Sequence, residues 1–537
     1  MKDLSDPREL VAAAMRDGGD FLRAIKRTPK PHQLEGVRRL LTGPYGGFAL
    51  FDDMGVGKTK QAVDAAQLAH VLGLVDTVVV VGPAQVRPIW LDPDPDLGEL
   101  VKDRWPSLEQ HVREFHSKTP SLEWRQGLNW VVTNYEYVRR GDPRAALVEA
   151  LVRGRRRFVV VADEGGAVKG HKSHQTEAMV ALRQLPGCRF GWLLNGTPVD
   201  NTPLDLYGQG WFMAGWPDRI FGLRSYFHFR ARYAVMGGWE GKQILGYQNL
   251  EDLRRRMKPW CLRRLSKDVL DLKEPVDLPP LQVPLSKASW KLYKDMRDDL
   301  VAWLGTQMSV APSGAVRVMR LSQLTGGFLG GLELAPALPL GDAEDGEEPA
   351  DAEPIVLREV GREKQDALIE WWKVHPDANL KLVVWCRFRA EVSRLVAAFQ
   401  AAGCADTYAI VGDQRRDERR AALAAFAWSQ RDAPGRRVVV AQEQAGGLGL
   451  SLVAAHVAVT YSSGYSLRYR SQTRKRIDRP PQDRACMYMD ILATGPDGQR
   501  TVDHVVRKAL QKKDDLARWT SDYWRAALRA ADTEAHF

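Results

Sequence analysis

Short, almost wholly apolar runs bounded by turn residues recur in the first and last thirds of the chain. They are GGFALF, TVVVVG, WVVTN and FVVVAD, then KLVVWC, RRVVVAQ and AVTYSS. Runs this short, rich in β-branched residues and without polar alternation, suit strands buried on both faces of a parallel sheet. Parallel neighbours require crossovers, and Ala-, Leu- and Arg-rich stretches at 58–72 and 416–428 supply helical ones. The alternation occurs twice, which predicts an α/β fold with two doubly wound parallel-sheet lobes. A chain of 537 residues has room for both.

The middle third reads differently. From about residue 211 to 327 the pattern is helical and basic, as in LEDLRRRMKPWCLRRLSKDVL and ASWKLYKDMRDDLVAWLG. Residues 333–353 carry eight acids and no base, with too little apolar surface to offset chain ordering, and are expected to be a disordered linker. The expected division is an N-terminal helical segment (1–30), a first lobe (31–210) and a helical insert (211–332). An acidic linker (333–356) and a second lobe (357–537) follow. The net charge of +10 favours an anionic partner without naming it, and the acidic segment makes the remainder more basic than that total. No stretch approaches the roughly 18–20 apolar residues of a membrane span, and the acidic start MKDLSDPREL does not resemble a signal peptide. The five cysteines are widely spaced with no Cys-x-x-Cys pair, which fits a reduced, cytoplasmic compartment. His171 and His174 lack a second ligand pair and read as loop histidines rather than a metal site.

The strongest local signal is Asp52-Asp53-Met54-Gly55-Val56-Gly57-Lys58-Thr59, placed between an apolar strand and a helix. Gly55 and Gly57 let backbone N–H groups curl around phosphate oxygens in front of a helix N-terminus. Lys58 is expected to reach the β/γ-phosphates and Thr59 to coordinate Mg²⁺. The strand Phe158-Val159-Val160-Val161-Ala162 ends in Asp163-Glu164. An acidic pair there suits a metal-holding Asp163 and a Glu164 that orients or deprotonates the hydrolytic water. The loop and the acid pair are complementary halves of one site.

With these residues the chain resembles a superfamily-two helicase or translocase, and in particular a Swi/Snf-like DNA-dependent ATPase of compact phage or bacterial type. The likeness runs collinearly from about residue 31 to 522. Pro31-His32-Gln33-Leu34-Glu35-Gly36-Val37 resembles the opening motif, whose glutamine, here Gln33, reads adenine. Residues 52–59 match the family's DEMGLGKT form, which explains an aspartate where the generic loop has glycine. Val81-Gly82-Pro83-Ala84 followed by Trp90, and Val132-Thr133-Asn134-Tyr135-Glu136, resemble DNA-backbone motifs. Leu194-Asn195-Gly196-Thr197-Pro198-Val199-Asp200-Asn201 is similar to the coupling segment LTGTPIQN. Residues 259–270 resemble the family's arginine-pair helix, and Leu278-Pro279-Pro280 its hinge out of the first lobe. Ala445-Gly446-Gly447-Leu448-Gly449-Leu450-Ser451-Leu452 is close to AGGLGINL, and residues 472–482 fit QxxxRxxRxxQ.

The resemblance implies two RecA-like P-loop lobes, ATP and Mg²⁺ as cofactors, and DNA as partner. Arg476 and Arg479 are then delivered to the γ-phosphate by lobe closure, with Gly196, Thr197 and Gln472 coupling hydrolysis to movement. Pro83, Thr133, Gly446 and Gly447 fall to the DNA backbone, sequence-independently, helped by a net charge of +5 over residues 467–484. Arg263 and Arg264 either contact closure elements or brace the lobes. Trp90 and Tyr135 suit packing better than base stacking. Gly165-Gly166 replaces the Ala-His of the DEAH box, and Pro480-Pro481 replaces a flexible Ile-Gly. The expected function is translocation on duplex DNA. Strand separation and a non-hydrolysing, ATP-sensing scaffold are the alternatives.

Overall fold

The computed structural model describes residues 7–15, 24–84, 86–94, 98–116, 121–196, 199, 202–238, 243–306, 312–330, 358–412, 414–446 and 450–511. The chain divides into two compact units, the first ending at Asp271 and the second starting at Leu272.

In the first unit the strands are β1 (Gly47–Leu50), β2 (Thr77–Gly82), β3 (Gln110–Glu114), β4 (Leu128–Asn134), β5 (Phe158–Asp163) and β6 (Cys188–Leu194). A separate antiparallel hairpin follows, β7 (Ala234–Gly237) with β8 (Gln243–Tyr247), and then β9 (Cys261–Leu262). The main sheet runs β3-β4-β2-β5-β6-β1-β9 with every pair parallel. Val78 to Val81 are at most 1% exposed, so this strand buries both faces, as its unbroken apolar run requires. Val79, Val81, Val131, Val160, Ala162 and Leu193 join one face of the sheet to a core continuous with Phe212, Phe221 and Phe229.

In the second unit β10 (Val276–Asp277), β11 (Leu281–Pro284), β12 (Phe328–Leu329), β13 (Arg358–Glu359), β14 (Lys381–Cys386), β15 (Thr407–Ile410), β16 (Arg437–Gln442), β17 (Val457–Thr460) and β18 (Met487–Thr494) follow. The main sheet is again parallel, ordered β10-β18-β17-β14-β16-β15, with β11 continuing along β18 beyond β10. Period-two alternation divides β14 between two cores: Leu382, Val384 and Cys386 enter one, Val383 and Trp385 the other. Both units are therefore doubly covered parallel sheets, the expected fold class.

Three sequence expectations shift. The helical insert is shared between the units: residues up to Asp271 belong to the first, while the helices Lys287–Thr306 and Pro312–Thr325 belong to the second. The arginine-pair segment is α-helical only at Ser266–Val269, after both arginines. Pro259 closes the helix Leu250–Met257 after a short 3₁₀ turn, and Cys261 and Leu262 then pair with Ala49 and Leu50 as the edge strand β9. The proposed hinge at Leu278 lies inside the second unit, since Val276 and Asp277 already pair with Met487 and Tyr488. The acidic segment 333–353 lies outside the described residues.

Candidate nucleotide site

The loop 52–57 joins β1 to the helix Lys58–Val71. Gly55 and Gly57 sit at φ 84° and 89°, in the left-handed region open to glycine. A Cβ on Gly57 would come within 2.3 Å of Gln33 Nε2, so a side chain there would displace its neighbour. Gln33 is buried: its Oε1 accepts from the Lys30 N–H at 3.0 Å and its Nε2 donates to the Val56 carbonyl at 3.2 Å. Its amide thus ties the start of helix Pro31–Thr42 to the loop. Lys58 Nζ donates to the carbonyls of Asp52 (2.8 Å) and Asp53 (3.1 Å). Burial pulls its pKa down, opposed by Glu164 most strongly and then by Asp52, Asp53 and Asp163. Thr59 occupies the first turn of the helix, half-buried.

Asp163 ends β5 and is held on three sides. The Trp90 indole N–H donates to Oδ2 at 2.7 Å, the Glu164 N–H to Oδ1 at 3.0 Å, and the Tyr135 hydroxyl to the Asp163 carbonyl at 2.9 Å. Burial, with the Glu164 charge second, pushes its carboxyl up to about 6, and the Trp90 hydrogen bond works against that rise. Glu164 adopts φ 50°, unusual for a side-chain-bearing residue, before the turn Gly165–Ala167. The strand between the two halves of the site is β6. The Asn195 N–H donates to the Leu50 carbonyl at 3.0 Å, and a Cβ on Gly196 would stand 3.2 Å from Met54 Cγ and 3.6 Å from Lys58 Nζ. The carboxyl ends of β5, β6 and β1, neighbours in the sheet, therefore gather Asp163, Glu164, Gly196, Lys58 and the loop glycines along one edge.

The donor set fits a polyphosphate carried with a divalent cation. The glycine loop and a helix N-terminus offer amide donors, Lys58 offers a cation, and the acid pair offers hard oxygen ligands. The two arginines left open by the sequence both engage the loop. Arg263 donates to the Phe51 carbonyl at 3.3 Å, and Arg264 pairs with the Asp52 carboxylate.

Other sequence candidates have separate positions. Thr197 and Gly447 lie outside the described residues. Pro83 is half-buried just beyond β2. Thr133 is a correction: at 0% exposure near the end of β4 it has no surface to offer a phosphate, because β4 is covered on both sides. In the second unit Gly446 ends the short helix Glu443–Gly446 and Gln472 is buried in the helix Leu467–Arg474. Arg476 and Arg479 both donate to the Leu450 carbonyl, at 3.2 and 3.1 Å, the first buried and the second half-buried. Trp90 and Tyr135 pack, as expected, and they also hold Asp163, which nothing in the local sequence signals. They lie far from it in sequence, and only strand order brings them together. His171 stacks on Tyr226 with ring centroids 3.7 Å apart.

The SNF2-related domain, as a family description, matches residues 32–319, more than half of the chain. The chain belongs to the SNF2-related family. The matched part of this SNF2-related chain includes the loop, Asp163-Glu164 and Arg264. The chain is 27% identical over 255 residues to the chromatin-remodeling ATPase INO80 of Arabidopsis thaliana, covering 46% of this chain and 16% of that one. It is 26% identical to the mouse (Mus musculus) DNA excision repair protein ERCC-6-like, covering 51% and 22%. An uncharacterized ATP-dependent helicase of Mycoplasma pneumoniae is 23% identical over 90% of this chain and 41% of its own. The chain thus spans less than half the length of these curated relatives. Among solved structures, the Sulfolobus solfataricus SWI2/SNF2 ATPase core in complex with dsDNA is similar at a TM-score of 0.39 and 19% identity, over 88% of this chain and 89% of that one. Among the described residues, no helix of this SNF2-related chain is long and apolar enough to cross a membrane.

Proposed function

We propose that this chain is a DNA-dependent ATPase that couples hydrolysis of Mg-ATP to movement along duplex DNA. The observation that carries the reading is the single sheet edge on which the glycine loop, Lys58 and the pair Asp163-Glu164 lie together. Membership in the SNF2-related family supports it. Bound ATP supplies the transferable phosphoryl group and its leaving group, and Mg²⁺ neutralises charge on the phosphates.

The chain's own residues do the rest. The amides of residues 55–59 orient phosphate oxygens, and Lys58 transfers its donations from the Asp52 and Asp53 carbonyls to those oxygens. Asp163, its carboxylate fixed by Trp90, would hold the metal. Glu164 orients the attacking water and takes its proton. Arg476 and Arg479 answer the negative charge of the transferred group, and Gly196, Thr197 and Gln472 relay the change. Pro83, Gly446 and Gly447 meet the DNA backbone without reading bases.

The test is ATP hydrolysis without DNA, with single strands and with duplex, alongside triplex displacement and strand unwinding. Duplex-stimulated hydrolysis and triplex displacement with little unwinding are expected. Efficient unwinding would favour a strand-separating helicase. Absence of hydrolysis under every condition would favour an ATP-sensing scaffold.

A further inference from the structure

Asp52 stands where a generic phosphate loop has glycine, and its side chain is 0% exposed. A buried carboxylate is tolerated when paired and hydrogen-bonded, and the partner here is Arg264. Arg264 Nε donates to Asp52 Oδ1 at 2.9 Å and Nη2 to Oδ2 at 2.5 Å, a two-point fork that only a guanidinium makes. The same guanidinium donates to Gln61 Oε1 at 2.8 Å and to the His32 carbonyl. It therefore touches the loop, the helix behind the loop and the helix that carries Gln33.

The backbone repeats the attachment. The Phe51 N–H donates to the Leu262 carbonyl at 2.7 Å and the Asp53 N–H to the Arg264 carbonyl at 2.8 Å. The Ser266 hydroxyl donates to Asp53 Oδ2 at 2.7 Å. Both loop acids are thus held by the residues that follow β9, and the carbonyls of the same two acids receive the Lys58 ammonium. Space is tight around the cluster: a Cβ on Gly36 would fall 1.7 Å from Gln61 Oε1 and 3.1 Å from Arg264 Nη2.

We propose that Arg264 is a positioning residue of the nucleotide site, locking the phosphate loop, through Asp52, to the strand by which the chain leaves the first unit. The proposal rests on the nucleotide reading above. It accounts for an aspartate at the first loop position: the side chain is an anchor, and the loop's phosphate-binding part begins after it. Because the first unit ends at Asp271, the clamp lies on the covalent route between the loop and the second unit.

The test measures binding of a fluorescent ATP analogue with MgCl₂ to the full chain and to Arg264→Ala, Arg264→Lys, Asp52→Asn and Gly36→Ala. Amide exchange over residues 52–58 and the thermal midpoint are followed in parallel. Arg264→Ala is expected to lose affinity by about 10²-fold, since a loop displaced by an ångström misplaces every donor. Lysine is expected to recover only a small part, because it lacks the fork. Millimolar guanidinium, but not equal NaCl, is expected to restore binding to Arg264→Ala. Amide exchange should quicken over the loop and not in β2 or β5. If Arg264→Ala does not fold, Asp52→Asn and Gly36→Ala carry the test, with lost affinity in a folded chain expected for both. Folded variants that bind the analogue as tightly as the unaltered chain would overturn the proposal, as would a loss that guanidinium leaves untouched. An unaltered chain that does not bind the analogue would overturn the nucleotide reading itself.

Discussion

Two side chains from the short helices Arg87–Leu91 and Tyr135–Val138 hold Asp163 by its carboxylate and its carbonyl, leaving Glu164 beside it at φ 50°. That division of labour fixes what each substitution should do. Lys58→Ala and Glu164→Gln are each expected to lower ATP turnover by about 10²–10⁴-fold while leaving duplex binding nearly intact, measured by phosphate release and fluorescence anisotropy. Asp163 also sets a pH dependence. Its carboxyl is raised to about 6, so the ionised form, which on the proposed function would hold the metal, is lost as pH falls through that value. A cation binds only the ionised form, so raising Mg²⁺ is expected to move the acid limb of the rate profile to lower pH. A limb that ignores Mg²⁺ would remove Asp163 as its origin.

At the scale of elements, the turn after β5 carries Gly165-Gly166 where the resembled motif has Ala-His. A Cβ on Gly165 would lie 2.5 Å from Leu193 Cγ, whereas one on Gly166 would meet Asn195 at 3.1 Å. The glycine at 165 is therefore demanded by packing against β6. Gly165→Ala, which restores the family residue, is expected to destabilise the chain by about 1–3 kcal/mol in thermal or denaturant unfolding. Arg476 and Arg479 share the Leu450 carbonyl but differ in burial. Arg479→Ala is expected to cut turnover with little change in thermal midpoint. Arg476→Ala is expected to lower both, because its guanidinium also packs the interior. These elements show the limit of sequence reading in the middle third. The 250–269 stretch reads as helix from its charges and leucines. It becomes a strand at Cys261–Leu262 because the open edge of β1 can accept one there.

At the scale of the whole molecule, one chain carries two doubly covered parallel sheets and a net charge of +10. Duplex binding should weaken linearly in log–log fashion with salt, as expected for phosphate contacts that release counterions. Deleting residues 333–353 should leave ATP turnover intact. A rise in duplex affinity on that deletion would mark the acidic run as a competitor for the DNA surface, and a collapse of turnover would mark it as structural.

The sequence by itself determined the fold class and singled out the candidate site of the first unit. Buried parallel strands must be apolar along their whole length, and a phosphate loop needs its glycines, lysine and threonine in unbroken order. Those are local requirements, written in adjacent residues. Tertiary structure alone decided that Trp90 and Tyr135 grip Asp163, that Thr133 is sealed inside β4, and that Arg264 answers Asp52 from 212 residues away. Such contacts depend on strand order and on which edge a returning segment joins. No spacing along the chain encodes that distance.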